Sequence, residues 1–165
     1  MDTANELPPD PKTILVVDDE LSVLTVVKCM LECGDYNVLL ASSAAAALRI
    51  ASNNDVAIDL LLTDIIMPDE QGPDLAKRML SLRPEMKVLF MSGYADSNVV
   101  RIKVLDLNLC FLPKPFTSNG LLETVERVNA PGSRMLAAGF NMLSQASCPG
   151  GKPAGAAFAH KKGRS

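Results

Sequence analysis

The chain has 165 residues, of which 48% are hydrophobic, with a formal net charge of -3 and a single histidine. This length and apolar content predict one domain with a sizeable core, and the weak negative charge argues against a nucleic-acid binder driven by overall charge. The sequence has neither an apolar run of about 18 residues nor a signal-peptide pattern at its acidic, proline-rich start, which predicts a cytoplasmic protein that does not span a membrane. His160 lies near the end of the chain, so catalysis by a histidine in the core is excluded.

Short apolar runs alternate with helical patterns along most of the chain. In chain order the patterns predict a strand at 13–17, a helix at 21–33, a strand at 36–41, a helix at 43–52, a strand at 59–63, a helix at 73–82, a strand at 87–91, a weaker helix at about 97–106, a strand at 110–112 and a last helix from about 118. Ser42 or Ser43 is the expected cap of the second helix, and Thr117 or Ser118 that of the last. Five strand–helix pairs predict an α/β fold with a doubly wound, five-stranded parallel sheet.

The composition changes at residue 130. Residues 130–165 contain five basic and no acidic residues and are rich in Gly and Ala, whereas the first 129 residues carry 11 basic and 19 acidic residues, a net charge of -8. We therefore expect a flexible N-terminal segment at 1–11, a folded domain at 12–129 and a basic, mostly disordered tail at 130–165. A tail of this size and composition is too small for a DNA-binding or catalytic output domain.

Cys29 and Cys33 lie four residues apart on the first predicted helix. A redox pair is one interpretation of this spacing. The interpretation that we favour is two small buried or half-buried residues, since thiols stay reduced in the cytoplasm and no nearby histidine supports a metal site.

Polar residues follow the predicted strands. Asp18 and Asp19 come after the first strand, Asp64 after the third, Ser92 after the fourth and Lys114 after the fifth. Ligands of such folds bind at the carboxyl ends of the strands. Three carboxylates gathered there repel one another, and Mg²⁺ with its oxygen ligands would relieve the repulsion. A cation, a lysine and a hydroxyl around a central carboxylate suit transfer of a phosphoryl group onto Asp64.

Each residue also has a simpler interpretation. An aspartate after a strand usually caps a turn or a helix, an isolated lysine is usually a solvated surface charge, and Ser92 before Gly93 fits a plain turn. A nucleotide hydrolase would need a Gly-rich loop ending in Lys-Ser or Lys-Thr, which the sequence lacks. A phosphatase of the haloacid dehalogenase type would need a second Asp where Ile66 stands.

The combination of motifs is more specific than its parts. "VVDDE", "LLLTDIIMP" followed by Gly72, "MSGYA" and "FLPKPF" occur in this order over about residues 12–129. The chain thereby resembles the receiver domain of two-component response regulators, which implies the flavodoxin-like (βα)5 fold. It departs from the usual pattern at Leu107-Asn108, where the family commonly has Gly-Ala.

The resemblance implies a metal site and a phosphoacceptor. Asp64 matches the phosphoacceptor, Asp19 would bind Mg²⁺ directly and Asp18 through water, and the backbone carbonyl of Ile66 would be a further ligand.

The resemblance also implies a switch. Ser92 matches the hydroxyl residue that moves onto the phosphoryl group, and Phe111 matches the aromatic residue that turns inward with it. Lys114 would contact the phosphoryl oxygens, and the Lys114–Pro115 peptide bond would be cis.

The implied function is a stand-alone receiver that accepts a phosphoryl group on Asp64 from a histidine kinase and signals by binding a protein target that the sequence does not identify. It would catalyse only its own phosphorylation and dephosphorylation. The style of "MSGYA" and "LPKPF" fits receivers of hybrid sensor kinases equally well, so a phosphorelay intermediate paired with a histidine phosphotransfer protein, or a detached hybrid receiver, stays open. A pseudo-receiver that is never phosphorylated is the alternative of another class.

Overall fold

A computed structural model describes residues 10–93 and 110–132. The strands are β1 (Thr13–Val17), β2 (Asn37–Ala41), β3 (Leu60–Asp64), β4 (Lys87–Ser92) and β5 (Cys110–Pro113), and the helices are α1 (Leu21–Glu32), α2 (Ala44–Ser52), α3 (Gly72–Leu82) and α4 (Ser118–Asn129). The predicted helix at 97–106, the Leu107-Asn108 departure and nearly all of the predicted tail lie outside the described residues.

All five strands are parallel and hydrogen-bonded in the order β2-β1-β3-β4-β5. β2 forms one edge of the sheet beside β1, and β3, β4 and β5 follow in order on the other side of β1. The predicted α/β fold with a doubly wound parallel sheet is therefore confirmed.

The three inner strands β1, β3 and β4 are buried on both faces because helices cover both. Leu15 and Val17 of β1 belong to a core cluster shared with α2 and α3, whereas Ile14 and Val16 belong to a second cluster shared with α1 and α4. All four side chains are fully buried. Successive side chains of a strand point to opposite faces, so a strand buried on both sides needs the continuous apolar run that the sequence has.

Two side-chain caps fix where helices begin. The Ser43 hydroxyl accepts a hydrogen bond from the Ala46 amide at the start of α2 (3.1 Å), and the Thr117 hydroxyl accepts one from the Gly120 amide at the start of α4 (3.1 Å). These are two of the four candidates that the sequence offered, and they determine how each strand connects to the helix after it.

The expectation for the two cysteines was wrong. Cys29 and Cys33 are exposed free thiols. The core side of α1 is formed by Leu24, Val27 and Leu31. Each cysteine is two residues from Leu31, which places it about 200° around the helix from that buried side chain.

No helix among the described residues is both long and apolar enough to cross a membrane.

Candidate functional site

Three carboxylates meet at the carboxyl end of the sheet. Asp18, Asp19 and Asp64 each contribute an oxygen to a group whose members lie within 4.8 Å of one another. They meet because β1 and β3 are neighbouring parallel strands, in register from Ile14 and Leu60 to Val17 and Thr63. The loop after β1 and the end of β3 therefore open at the same point.

Asp18 is the buried member of the cluster. Its side chain is 1% exposed. One carboxylate oxygen accepts a hydrogen bond from the Glu20 amide (2.9 Å), and the other accepts one from Lys114 Nζ (2.7 Å). Both oxygens of Asp18 thus have protein partners, whereas the side chain of Asp19 faces solvent.

Asp64 is the last residue of β3. Its Oδ1 accepts a hydrogen bond from the Ile65 amide (2.8 Å), and its Oδ2 lies 3.4 Å from Lys114 Nζ. Burial raises the pKa of Asp64 above its ordinary value; Lys114 opposes this shift and the charge of Asp18 adds to it. A raised pKa means that the ionised carboxylate is held at a free-energy cost, which a bound cation would lower.

Lys114 joins the two halves of the site. Its backbone amide donates to the Ser92 carbonyl oxygen (2.7 Å), which fixes the start of the loop after β5. Burial alone would lower the pKa of Lys114, but the hydrogen bond to Asp18 and the negative charge of Asp64 outweigh it and raise the pKa. Lys114 is therefore a permanent cation between two carboxylates, and the next peptide bond, Lys114–Pro115, is cis.

Ser92 and Phe111 lie on the side of the site formed by β4 and β5. Ser92 ends β4 and is buried. Phe111 is half-buried, is paired in register with Phe90 of β4, and packs against the core cluster shared with α2 and α3. The structure places both residues where the sequence predicted, and their part in switching stays a prediction.

The loop after β3 is held close to Asp64. Ile65 and Met67 are buried, whereas Ile66 between them is 47% exposed. The Gly72 amide donates to the Ile65 carbonyl oxygen (2.8 Å), and a Cβ at Gly72 would collide with the backbone carbonyl oxygen of Asp64. Glycine is needed here because α3 begins in contact with the strand end that bears Asp64.

One contact of this loop was missed by the sequence analysis. Asp69 Oδ2 accepts a hydrogen bond from the Ala44 amide, the first residue of α2, at 2.9 Å. The only local signal is the Pro-Asp pair at 68–69, which indicates a turn and says nothing about a contact 25 residues away.

An apolar groove of about 320 Å³ begins beside Lys114. It is lined by Ser22, Val23, Val26, Val27, Met30, Lys114, Pro115 and Phe116. On the same helix, Leu21 is 70% exposed and Val26 is 52% exposed. Exposed apolar side chains that cluster next to a polar site are typical of a surface that contacts another protein.

The chemistry of the cluster fits Mg²⁺. Carboxylate oxygens are the ligands that this hard cation prefers. Three carboxylates and one lysine leave a formal charge of -2 at the site, and Asp19 leaves the cluster open to solvent on one side.

Comparisons with known proteins agree with this geometry. Residues 14–126 match the family model of the response regulator receiver domain. The chain is 34% identical over 116 residues to the sensor kinase CckA of Brucella abortus (strain 2308), a match that covers 70% of this chain and 12% of the relative. It is 36% identical over 123 residues to the DNA-binding transcriptional regulator NtrC of Rhizobium meliloti (strain 1021), covering 74% of this chain and 25% of the relative. The chain thus spans a quarter or less of these curated relatives.

Solved structures show the same similarity. A CheY-like receiver domain protein from Methanospirillum hungatei JF-1 is 33% identical, with a TM-score of 0.63 and coverage of 71% of this chain and 92% of that chain. The receiver domain of the hybrid histidine kinase CckA is 34% identical, with a TM-score of 0.57 and coverage of 70% and 96%. The resemblance seen in the sequence is confirmed, and the chain belongs to the response regulator receiver domains of two-component signalling.

Proposed function

We propose that this protein is a phosphoacceptor switch, in which Asp64 receives a phosphoryl group from a phosphohistidine. The observation that supports this most is the position of Asp64 Oδ2, which lies 3.4 Å from Lys114 Nζ beside the carboxylates of Asp18 and Asp19. A capping aspartate needs no partners other than backbone amides. Here one oxygen faces the Ile65 amide and the other faces a lysine.

Mg²⁺ would be held by Asp19, Asp64 and the Ile66 carbonyl, with Asp18 acting through water. Two observations support this division. Both oxygens of Asp18 already accept hydrogen bonds from the protein, whereas Asp19 is exposed. When bound, the cation supplies positive charge that offsets the carboxylates and the phosphoryl oxygens.

In the proposed reaction Asp64 Oδ2 attacks the phosphorus of the phosphohistidine. An O–P bond forms, the P–N bond breaks, and its electron pair returns to the imidazole nitrogen of the donor. Lys114 stays protonated and neutralises a phosphoryl oxygen, because Asp18 and Asp64 raise its pKa. Asp18 holds the ammonium group in place through the 2.7 Å hydrogen bond.

After transfer, we infer that Ser92 donates its hydroxyl to the phosphoryl group and that Phe111 moves further inward. The hydrogen bond from the Lys114 amide to the Ser92 carbonyl supports this pairing, since a shift of Ser92 pulls on the loop that carries Lys114. The half-exposed position of Phe111 leaves apolar surface that an inward movement would bury.

The donor protein is a histidine kinase or a histidine phosphotransfer protein. The apolar groove beside Lys114 supports an approach from this side, because an imidazole that reaches Asp64 must bring its own helix or loop close to α1. We propose that this transfer takes place in the cytoplasm. The protein then signals by contact with a downstream protein, and it catalyses only its own phosphorylation and dephosphorylation.

A role as a phosphorelay intermediate or detached hybrid receiver is a second candidate. The similarity to the receiver domain of the hybrid histidine kinase CckA favours it. The similarity to NtrC relatives favours the response-regulator role instead, with the difference that a DNA-binding output domain is not expected in residues 130–165. The pseudo-receiver alternative is disfavoured, since Asp18, Asp19, Asp64, Ser92 and Lys114 are all present.

We propose that the receiver unit ends close to Asn129, the last residue of α4. Lys12 Nζ donates to the Asn129 carbonyl (3.4 Å), and Lys87 Nζ donates to those of Val128 (2.7 Å) and Ala130 (3.4 Å), so the helix end is tied to the core. Truncation after Gly132 should leave the melting temperature and phosphorylation unchanged. A fall of more than about 5 °C, equivalent to roughly 1 kcal/mol, would show that the domain extends further.

Beryllofluoride binding tests the proposed function directly. With Mg²⁺ present, this phosphoryl mimic should shift the amide resonances of ¹⁵N-labelled protein near Asp64, Ser92 and Lys114. Asp64→Asn, which keeps the shape of the side chain, should not respond. A wild-type protein that shows no shifts would support the pseudo-receiver instead.

A further inference from the structure

The turn from Ala41 to Ala44, which connects β2 to α2, contacts both loops that would carry the metal ligands. On one side, the Asp18 amide donates to the Ala41 carbonyl oxygen (3.2 Å). On the other side, the Ala44 amide donates to Asp69 Oδ2 (2.9 Å). The turn thus joins the loop after β1 to the loop after β3 on the face of the sheet covered by α2 and α3.

The contact at Ala44 gives a hydrogen-bond partner to a backbone amide at the start of α2. The first amides of a helix have no partner within the helix. The Ser43 hydroxyl accepts a hydrogen bond from the Ala46 amide, and the Asp69 carboxylate accepts one from the Ala44 amide. The negative charge of Asp69 is also favourable at the positive end of the α2 dipole. Two separate acceptors therefore fix the start of α2, and the second belongs to the loop after β3.

The loop after β3 is held at three levels. Its inner part is fixed by the buried side chains of Ile65 and Met67, and its end by the hydrogen bond from Gly72 to Ile65. Asp69 fixes its outer part, three residues beyond Ile66, to a helix that does not belong to the loop. Asp69 is therefore the point at which the loop that carries Ile66 is bound to the start of α2, three residues from the end of β2 that contacts Asp18.

We propose that Asp69 is a positioning residue of the metal site, which sets the spacing between the Asp18–Asp19 side and the Ile66 side by binding the start of α2. The proposal rests on the Mg²⁺ site of the proposed function. Asp69 does not touch the ion; it acts through the backbone of the loop. Groups that orient metal ligands typically change metal affinity by 10-fold or more when they are removed.

The test is a Mg²⁺ titration of the full-length, unphosphorylated protein, followed by the amide resonances of Asp19 and Ile66. Asp69→Ala should weaken binding about tenfold. Asp69→Asn keeps an oxygen acceptor for the Ala44 amide and removes the charge, so it should stay within about threefold of wild type. Asp74→Ala removes an exposed carboxylate from the first turn of α3 and should bind like wild type.

Hydrogen exchange of the Ala44 amide reports the contact itself and should accelerate in Asp69→Ala but not in Asp69→Asn. If the alanine variant does not fold, Asp69→Gln replaces it. The side-chain amide of glutamine lies one methylene further from the backbone and fits the Ala44 amide less well, so this variant should bind Mg²⁺ more weakly than Asp69→Asn.

Two results would overturn the inference. One is an equal loss of Mg²⁺ affinity in Asp69→Ala and Asp69→Asn, which would mean that Asp69 acts through its charge and not through its bond to the Ala44 amide. The other is an unchanged Mg²⁺ affinity in Asp69→Ala despite faster exchange at Ala44. A wild-type protein that does not bind Mg²⁺ would instead contradict the proposed function, and this inference with it.

Discussion

The two ends of the sheet use their charged residues in opposite ways. At the amino end, charged groups bind backbone: the Asp59 carboxylate accepts from the Thr13 amide (2.8 Å), and Lys87 donates to the carbonyls of Val128 in α4 and of Ala130 just after it. At the carboxyl end, three carboxylates and Lys114 face one another. The first arrangement stabilises the fold, whereas the second leaves unbalanced negative charge where a cation and a phosphoryl group are expected.

The largest change in stability is expected for Lys114→Met, which removes the cation from the carboxyl end of the sheet. The change leaves Asp18 buried without its cation, and loss of one partner of a buried ion pair should lower the free energy of unfolding by about 2–3 kcal/mol. Urea denaturation in Mg²⁺-free buffer, followed by circular dichroism because the chain lacks tryptophan, measures the loss.

A second variant checks the cause of that loss. Asp18→Asn in the Lys114→Met background removes the stranded charge and should recover most of the stability. If the double variant is as unstable as the single one, the packing of the lysine stem rather than its charge would be responsible.

Asp64→Asn should stabilise the protein in the absence of Mg²⁺, by less than Lys114→Met destabilises it. Because burial raises the pKa of Asp64, the folded state binds the proton more tightly than the unfolded state. The resulting penalty is absent below the ordinary pKa of aspartate, grows as the pH rises from there to the raised pKa, and is complete above it. In Mg²⁺-free buffer at pH 7 the variant should therefore melt at a higher temperature than wild type.

Two conditions sharpen this prediction. The difference should disappear in acid, where Asp64 is protonated, and it should shrink or reverse when Mg²⁺ is added, because the ion stabilises the wild-type fold. Equal melting temperatures of variant and wild type at pH 7 without Mg²⁺ would mean that Lys114 fully compensates the charge of Asp64.

At the amino end, Lys87→Met should be only mildly destabilising. The methionine keeps most of the apolar stem and loses the hydrogen bonds to the Val128 and Ala130 carbonyls, which should cost about 1 kcal/mol. Mg²⁺ affinity should not change. A loss of Mg²⁺ affinity in this variant would show that the two ends of the sheet are coupled.

The smallest effect is expected for the matched control Lys28→Met. This lysine pairs with Glu32 at 3.7 Å on the exposed side of α1, and an exposed i,i+4 pair contributes about 0.5 kcal/mol or less. If Lys28→Met destabilises the protein as much as Lys87→Met does, the loss in Lys87→Met cannot be attributed to its hydrogen bonds with the end of α4.

The sequence predicted the strands and the carboxylate cluster for a simple reason. Continuous apolar runs such as 60–62 need burial on both faces, and parallel strands bring their carboxyl ends to one edge, so Asp18 and Asp64 had to meet.

Contacts between a side chain and a backbone group far away in the sequence could not be predicted. The bond between Asp69 and Ala44 depends on how α2 and the loop after β3 pack together, and the bonds of Lys87 depend on where α4 ends. The exposure of Cys29 and Cys33 was missed because the apolar positions of α1 extend beyond its fully buried side: Val23 and Met30 are only partly buried against the core and also line the groove.

The proposed function depends on the transfer of a phosphoryl group to Asp64. Incubation with acetyl phosphate and Mg²⁺, followed by mass spectrometry of the intact protein and of its peptides, tests it most directly. We expect one added phosphoryl group, located at Asp64, that hydroxylamine removes as expected for an acyl phosphate, and no addition to Asp64→Asn or in the presence of a Mg²⁺ chelator. Undiminished labelling of Asp64→Asn, or no labelling of the wild-type protein, would contradict it.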